Sequence, residues 1–183
     1  MPSSTAYPSI GWGKEIFQPL VLSENACEFL WTMQPGGAVP EHLHKDCVEH
    51  FEVLAGEVTL KLAGKTITAR AGETITVPRM TPHSPANKNA TDLRCRVWFT
   101  PAADQAKFFQ IMLFLKSEKI EGMPAVFKAM HISNGLGYKE FSTVRGGLKA
   151  LEKLMMGWFK LTAPLMGWNK LMQRFAQQEA KAS

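Results

Sequence analysis

Seven short strand-like runs occupy residues 26–33, 39–44, 49–54, 58–62, 65–69, 73–77 and 93–100, with turn-forming residues between them. Runs of this length and spacing predict an all-β sandwich or barrel. Strand alternation then assigns faces. Phe29, Trp31 and Met33 share one apolar face, with Glu28 and Thr32 opposite. The same parity puts Phe51 and Val53 on the side of Glu49, turns His50 and Glu52 outward, and places Leu60 and Leu62 inside on the facing strand. In the run at 93–100, Cys95, Val97 and Phe99 compete with Arg94, Arg96 and Trp98 for the inner face. The apolar set is the expected one; inward arginines would instead select an anionic ligand.

Four residues, three in these runs and one between the last two, carry metal-ligand chemistry. His42 and His44 are two apart, so on an extended backbone their rings leave the same face and one metal can take a nitrogen from each. Lys45-Asp46 turns the chain, and a hairpin brings Glu49 back beside them. The corner Pro78-Arg79-Met80-Thr81-Pro82 aims His83 rigidly inward. Three imidazoles and one carboxylate suit a divalent first-row metal and leave a net single positive charge with open coordination positions. Glu49 is expected as a ligand or as a proton acceptor in catalysis. Phe29, Trp31, Met33 and Phe51 would form the substrate pocket, suited to an apolar or aromatic molecule.

The spacing Gly36-x5-His42-x-His44-x4-Glu49-x6-Gly56, followed by Gly72-x5-Pro78-x-Met80-x2-His83-x3-Asn87, resembles the paired motifs of the cupin superfamily over roughly residues 30 to 100. It departs from that pattern only at Met80, where the family usually has glycine. The resemblance implies a double-stranded β-helix, or jelly roll, with His42, His44, Glu49 and His83 lining its interior around one divalent transition metal: Fe, Mn, Ni, Zn or Cu. Proteins of this superfamily include dioxygenases acting on polyphenols, oxalate or diketones, isomerases and small-molecule sensors, so the fold does not choose the reaction. The leading expectation is a mononuclear metal oxygenase acting on a small apolar or aromatic oxygen-containing molecule. The alternative is a non-catalytic, metal-dependent binding or sensor module; a purely structural metal is a third reading.

Past Pro101 the pattern changes, which divides the chain into a β-barrel domain with its N-terminal arm at 1–101 and a helical C-terminal extension at 102–183. Helices are expected at 102–116 and from Gly122 to about Met130 or His131, with Gly135, Gly137, Gly146 and Gly147 marking irregular connections. From Leu148 the apolar residues Leu151, Met155, Trp158, Leu165, Met172 and Phe175 recur near a heptad, in a helix broken or kinked at Pro164. Met156-Gly157-Trp158-Phe159-Lys160-Leu161 returns as Met166-Gly167-Trp168-Asn169-Lys170-Leu171. Leu151, Met155, Trp158 and Leu165 are expected to be buried against the barrel or a second subunit of a homodimer. Membrane-surface contact through the Trp and Lys residues is the competing reading. A span is not expected, because the longest uncharged stretch of this helix, Leu161 to Asn169, is nine residues against the roughly twenty a bilayer needs.

Charge separates the two parts: residues 1–100 carry −1 and residues 101–183 carry +6 of the net +5. No interleaving of basic and aromatic residues resembles a nucleic-acid module, so no nucleic-acid partner is expected. Three cysteines at unpatterned positions, and a start without an apolar leader, predict a reducing, cytoplasmic setting without disulfides.

Overall fold

Each of the seven runs contains a strand in the computed structural model, which describes residues 7–138, 142–143, 150, 154, 157–159 and 161–182. The strands are β1 Ile10–Trp12, β2 Glu15–Leu22, β3 Cys27–Met33, β4 His42–Leu43, β5 Val48–Ala55, β6 Glu57–Leu62, β7 Lys65–Arg70, β8 Thr74–Val77, β9 His83–Ala86, β10 Leu93–Thr100 and β11 Ser142–Thr143. The helices are α1 Gln105–Ser117, α2 Gly122–Leu136 and α3 Trp168–Ala182. One antiparallel sheet runs β1-β2-β3-β10-β5-β8 and the other β11-β4-β9-β6-β7. Strands distant in sequence lie side by side, as in a jelly roll, and the chain is mainly β with C-terminal helices.

The run at 39–44 shrinks to the two residues of β4, because Pro40 has no amide proton for the ladder; before it, Ala38 makes only an isolated bridge to Ala86. β1, β2, β9 and β11 lie outside the seven runs. Pro85 hides β9, since proline argues against a paired strand.

Parity holds on β3, β5 and β10: Phe29, Trp31, Phe51, Val53, Cys95, Val97 and Phe99 are buried. The inward-arginine alternative is excluded. Arg94 is exposed, and Arg96 pairs with Glu28 on the outer face through contacts of 2.7 and 3.1 Å. Leu60 is fully buried, whereas Leu62, at the strand end, is half-buried.

The hydrophobic core does not stop at residue 101. Phe108, Phe109, Ile111, Met112, Phe114 and Leu115 of α1 join the same buried cluster as Phe17, Phe29 and Phe99. Phe109 stands 4.5 Å from Phe29 and 5.5 Å from Phe17, ring centre to ring centre. Residue 101 is therefore where secondary structure changes, while packing continues across it. α2 ends on Gly137, whose φ of 84° is the left-handed value glycine adopts without strain. α3 docks through Phe175 against Phe114, through Arg174 to Glu118 at 2.6 and 2.7 Å, and through Glu179 to Lys107 and Tyr138, both at 2.7 Å.

The expected buried face of the C-terminal segment is corrected. Trp158 is 53% exposed and Leu165 is 89% exposed, while Phe159, Ala163 and Trp168 are buried together beside Phe127 of α2. The physical reason is the break at 163–167: Gly167, with φ of 74°, restarts the helix at Trp168 on a different face. The two repeated tryptophans consequently differ, with Trp158 outside and Trp168 packed at 4.9 Å on Phe159. Leu151 and Met155, like Gly146 and Gly147, lie outside the described residues. Among the described residues no helix is long and apolar enough to cross a membrane.

Candidate metal centre

Both sheets contribute to the site. β4 pairs with β9 so that His42 stands opposite His83, and β5 of the other sheet presents Glu49 toward them. His44 follows β4 directly, and its carbonyl accepts the Met80 amide at 2.8 Å, which ties the first motif to the corner before His83. Met80 has a φ of 60°, in the left-handed region that costs a side-chain-bearing residue about 1 kcal/mol. This is the position where the family motif usually has glycine; Met80 keeps the backbone shape and sends its side chain out to 60% exposure. Gly56, at φ of 82°, has no such freedom, since a Cβ there would sit 3.2 Å from the Asp92 carbonyl. Asn87, the last motif residue, is a clamp and not a ligand. Its amide donates to the Met33 and Thr91 carbonyls at 2.7 and 2.9 Å, and its oxygen accepts from Asn89.

His42, His44, Glu49 and His83 each bring one ligand atom into a group within 4.8 Å of one another. The ring contacts fix what those atoms offer. His42 Nδ1 donates to the Pro40 carbonyl at 2.9 Å and His83 Nδ1 to the Thr81 carbonyl at 3.0 Å. A carbonyl only accepts, so each ring carries a proton on Nδ1, which leaves Nε2 as the atom that can offer a lone pair. His83 Nε2 then faces Glu49 Oε2 at 2.8 Å, and His44 Nε2 lies 3.4 Å from the same oxygen. Lone pair against carboxylate oxygen at that distance is repulsive unless a proton or a cation lies between them. A divalent metal fits this donor set.

Electrostatics favour the same occupant. Burial alone would push Glu49 up, but the His44 and His83 rings beside it outweigh it and hold the carboxyl well below the usual range. Burial, then the neighbouring His83, pushes His42 down from 6.5 to about 4. At neutral pH the site therefore holds a carboxylate and, at His42, an uncharged ring, the forms that bind metal. Cys47, between the ligands in sequence, is buried; burial and the charges of Glu49 and Asp46 push its thiol up to about 12, which makes it inert.

The ligands open on a cavity of about 570 Å³. Phe29, Trp31 and Phe51 line it, as do His42, His44 and Glu49. His83 is fully buried behind them. Met33 is corrected: it points inward as its parity requires, but it sits at the end of β3 under Gly37, whose added Cβ would come within 2.4 Å of its side chain, and it is not on the cavity wall. The wall contains residues the strand pattern does not announce, namely Phe17 of β2, Phe108 and Phe109 of α1, and Met123, Val126 and Met130 of α2. Their apolar character is visible in sequence, but nothing local to them says that the helices cover the barrel mouth.

Glu15 also lines the cavity, and burial pushes its carboxyl from 4.5 up to about 7. The folded protein keeps a proton there that the unfolded chain loses from pH 4.5 upward, so this group's contribution to stability falls as pH rises toward 7. Glu15→Gln is expected to match the wild type near pH 4.5 and to exceed it by about 1–2 kcal/mol at pH 8 in denaturant unfolding. Equal stability of the two at both pH values would contradict this.

Residues 29–100 match the Cupin_2 family, described as a cupin domain. This part of the chain is a cupin domain. The chain is 28% identical over 110 residues to oxalate oxidase GF-3.8 of Triticum aestivum, covering 56% of this chain and 49% of that protein. It is 30% identical over 110 residues to germin-like protein 3-5 of Oryza sativa subsp. japonica, covering 56% and 48%. The chain thus spans about half the length of the curated relatives it matches. Among solved structures, an RmlC-like cupin of Shewanella frigidimarina superposes with a TM-score of 0.50 at 18% identity, covering 57% of this chain and 93% of that one; the likeness is one of fold.

Proposed function

We propose that this cupin binds one divalent transition metal through His42, His44, Glu49 and His83 and acts as an oxygenase on a small apolar or aromatic molecule bearing metal-binding oxygen atoms. The observation that carries the reading is the convergence of four ligand atoms, three of them from residues that line a largely apolar cavity. A metal bound there supplies Lewis-acid and redox chemistry. The chain's own residues do the rest. Phe29, Phe51 and Phe99 hold the apolar body of the substrate, the helical wall keeps water away, and Glu49 accepts a proton from the substrate's hydroxyl. Oxalate, named for the wheat relative, fits this cavity less well, because a small dianion gains nothing from phenyl walls.

Oxygen consumption by the Fe-, Mn-, Ni- and Cu-loaded protein against phenolic, diketone and carboxylate compounds tests this. We expect turnover with a phenolic or diketone substrate, and Glu49→Gln should lower kcat far more than it raises KM. Tight binding of such compounds without turnover by any metal form would favour the second reading, a metal-dependent binding or sensor module. That reading draws on Met123, Val126 and Met130 of α2, through which occupancy would reach the helical extension.

The homodimer belongs to the same proposal. Leu154, Leu161 and Leu165 are 71%, 77% and 89% exposed, a strip that a second copy would cover. Sedimentation is expected to show a dimer that Leu161→Glu with Leu165→Glu dissociates; a monomeric wild type would remove this part. The cytoplasmic setting is likewise proposed, in keeping with Cys27, Cys47 and Cys95 as free buried thiols.

A further inference from the structure

His44 differs from the other two histidines in what holds its far nitrogen. His42 and His83 face backbone carbonyls, which can only accept. His44 Nδ1 instead lies 3.2 Å from the side-chain amide of Gln105, the first residue of α1, outside the segment that matches the cupin family. That amide is buried, at 5% exposure, and sits on the cavity wall. An amide end can present either N–H or oxygen after a half-turn about its last torsion. In this structure the nitrogen faces His44 and donates to Nδ1, so a neutral His44 carries its own proton on Nε2, directed at Glu49 Oε2 3.4 Å away. That proton occupies the lone pair that metal binding requires.

We propose that Gln105 is the positioning residue of the metal centre, setting the tautomer of His44 and turning its amide over when a metal ion binds. The inference rests on the metal-binding reading above. For Nε2 to bind a cation, its proton must go and Nδ1 must carry one, which needs an acceptor where the amide nitrogen now stands. A half-turn of the amide brings the oxygen there. His44 loses one proton from Nε2 and gains one at Nδ1, so it stays neutral and the exchange releases none. The Cys47 thiol, which can donate or accept, also hydrogen-bonds the Gln105 side chain. α1 is then part of the metal site as well as a wall of the cavity.

The test combines Zn²⁺ titration with nitrogen-resolved NMR of the histidine rings, on full-length protein stripped with chelator and then reloaded. In the wild type the His44 proton is expected on Nε2 before Zn²⁺ and on Nδ1 after it. Gln105→Glu presents only acceptors, so its His44 should carry the proton on Nδ1 already in the stripped protein, with Zn²⁺ affinity kept. Gln105→Met, of similar size but unable to hydrogen-bond, should bind Zn²⁺ about 10- to 100-fold more weakly. Should the Met variant not fold, the ring tautomer in the Glu variant still decides. An unchanged His44 tautomer on loading, or wild-type affinity in a folded Met variant, overturns the inference and leaves the metal centre standing. Failure of Zn²⁺ to bind the wild type would overturn the metal reading and this inference with it.

Discussion

A chain ending at Pro101 is expected not to fold. The cut follows β10 and spares every metal ligand, yet it removes Phe108, Phe109, Ile111, Met112, Phe114 and Leu115, all buried against the barrel or the next helix. At about 1.5–3 kcal/mol for each large buried side chain, the loss is on the order of 10 kcal/mol, comparable with the whole stability of a domain this size. It would also leave Phe17 and Phe29 facing water where Phe109 now covers them. The expected result is aggregation, or a soluble chain without a dispersed NMR spectrum. A monomeric 1–101 chain with a cooperative thermal transition would show that the barrel stands alone and that the helices are an appendage.

His83→Ala should be the most damaging single substitution at the metal centre. His83 is fully buried, and its Nε2 stands 2.8 Å from Glu49 Oε2. Its removal takes away one of three imidazoles and empties a fully buried ring position, at a cost on the order of 3 kcal/mol in the metal-free protein. With chelator present, the denaturation midpoint should fall accordingly; with metal present, the gap should widen, because only the wild type gains from binding. His50→Ala is the matched control. Its ring is outside the barrel, stacked at 4.8 Å on Trp98, and its loss should leave metal affinity unchanged. A His83→Ala protein as stable as His50→Ala would remove the argument that the buried His83 ring holds the site together.

The ligand cluster could be read from sequence because its geometry is local: two histidines at strand spacing, a hairpin return to Glu49, and a proline corner before His83. Core faces could be read for the same reason, and β3 and β10 carry the alternation in full. What could not be read depends on contacts distant in sequence. Gln105 meets His44 across 61 positions, and nothing in the composition of α1 distinguishes that amide from a solvated one. The placement of Phe108 and Phe109 over the cavity depends on how α1 leaves β10, not on any pattern within α1 itself. Met33 shows the limit of parity, which gives the direction of a side chain but not whether a loop such as Gly36-Gly37 covers it. In the C-terminal segment the heptad does not continue through Pro164–Gly167, where the backbone turns, and the buried residues are Phe159, Ala163 and Trp168 in place of Trp158 and Leu165.

Metal stoichiometry measured by equilibrium dialysis followed by elemental analysis tests the account most directly, using the wild type and the His42→Ala, His44→Ala and His83→Ala variants side by side. The account predicts one equivalent of a divalent transition metal per wild-type chain and loss of most of it in each variant, with folding retained in at least one. One full equivalent in all three variants, bound as tightly as in the wild type, would contradict it.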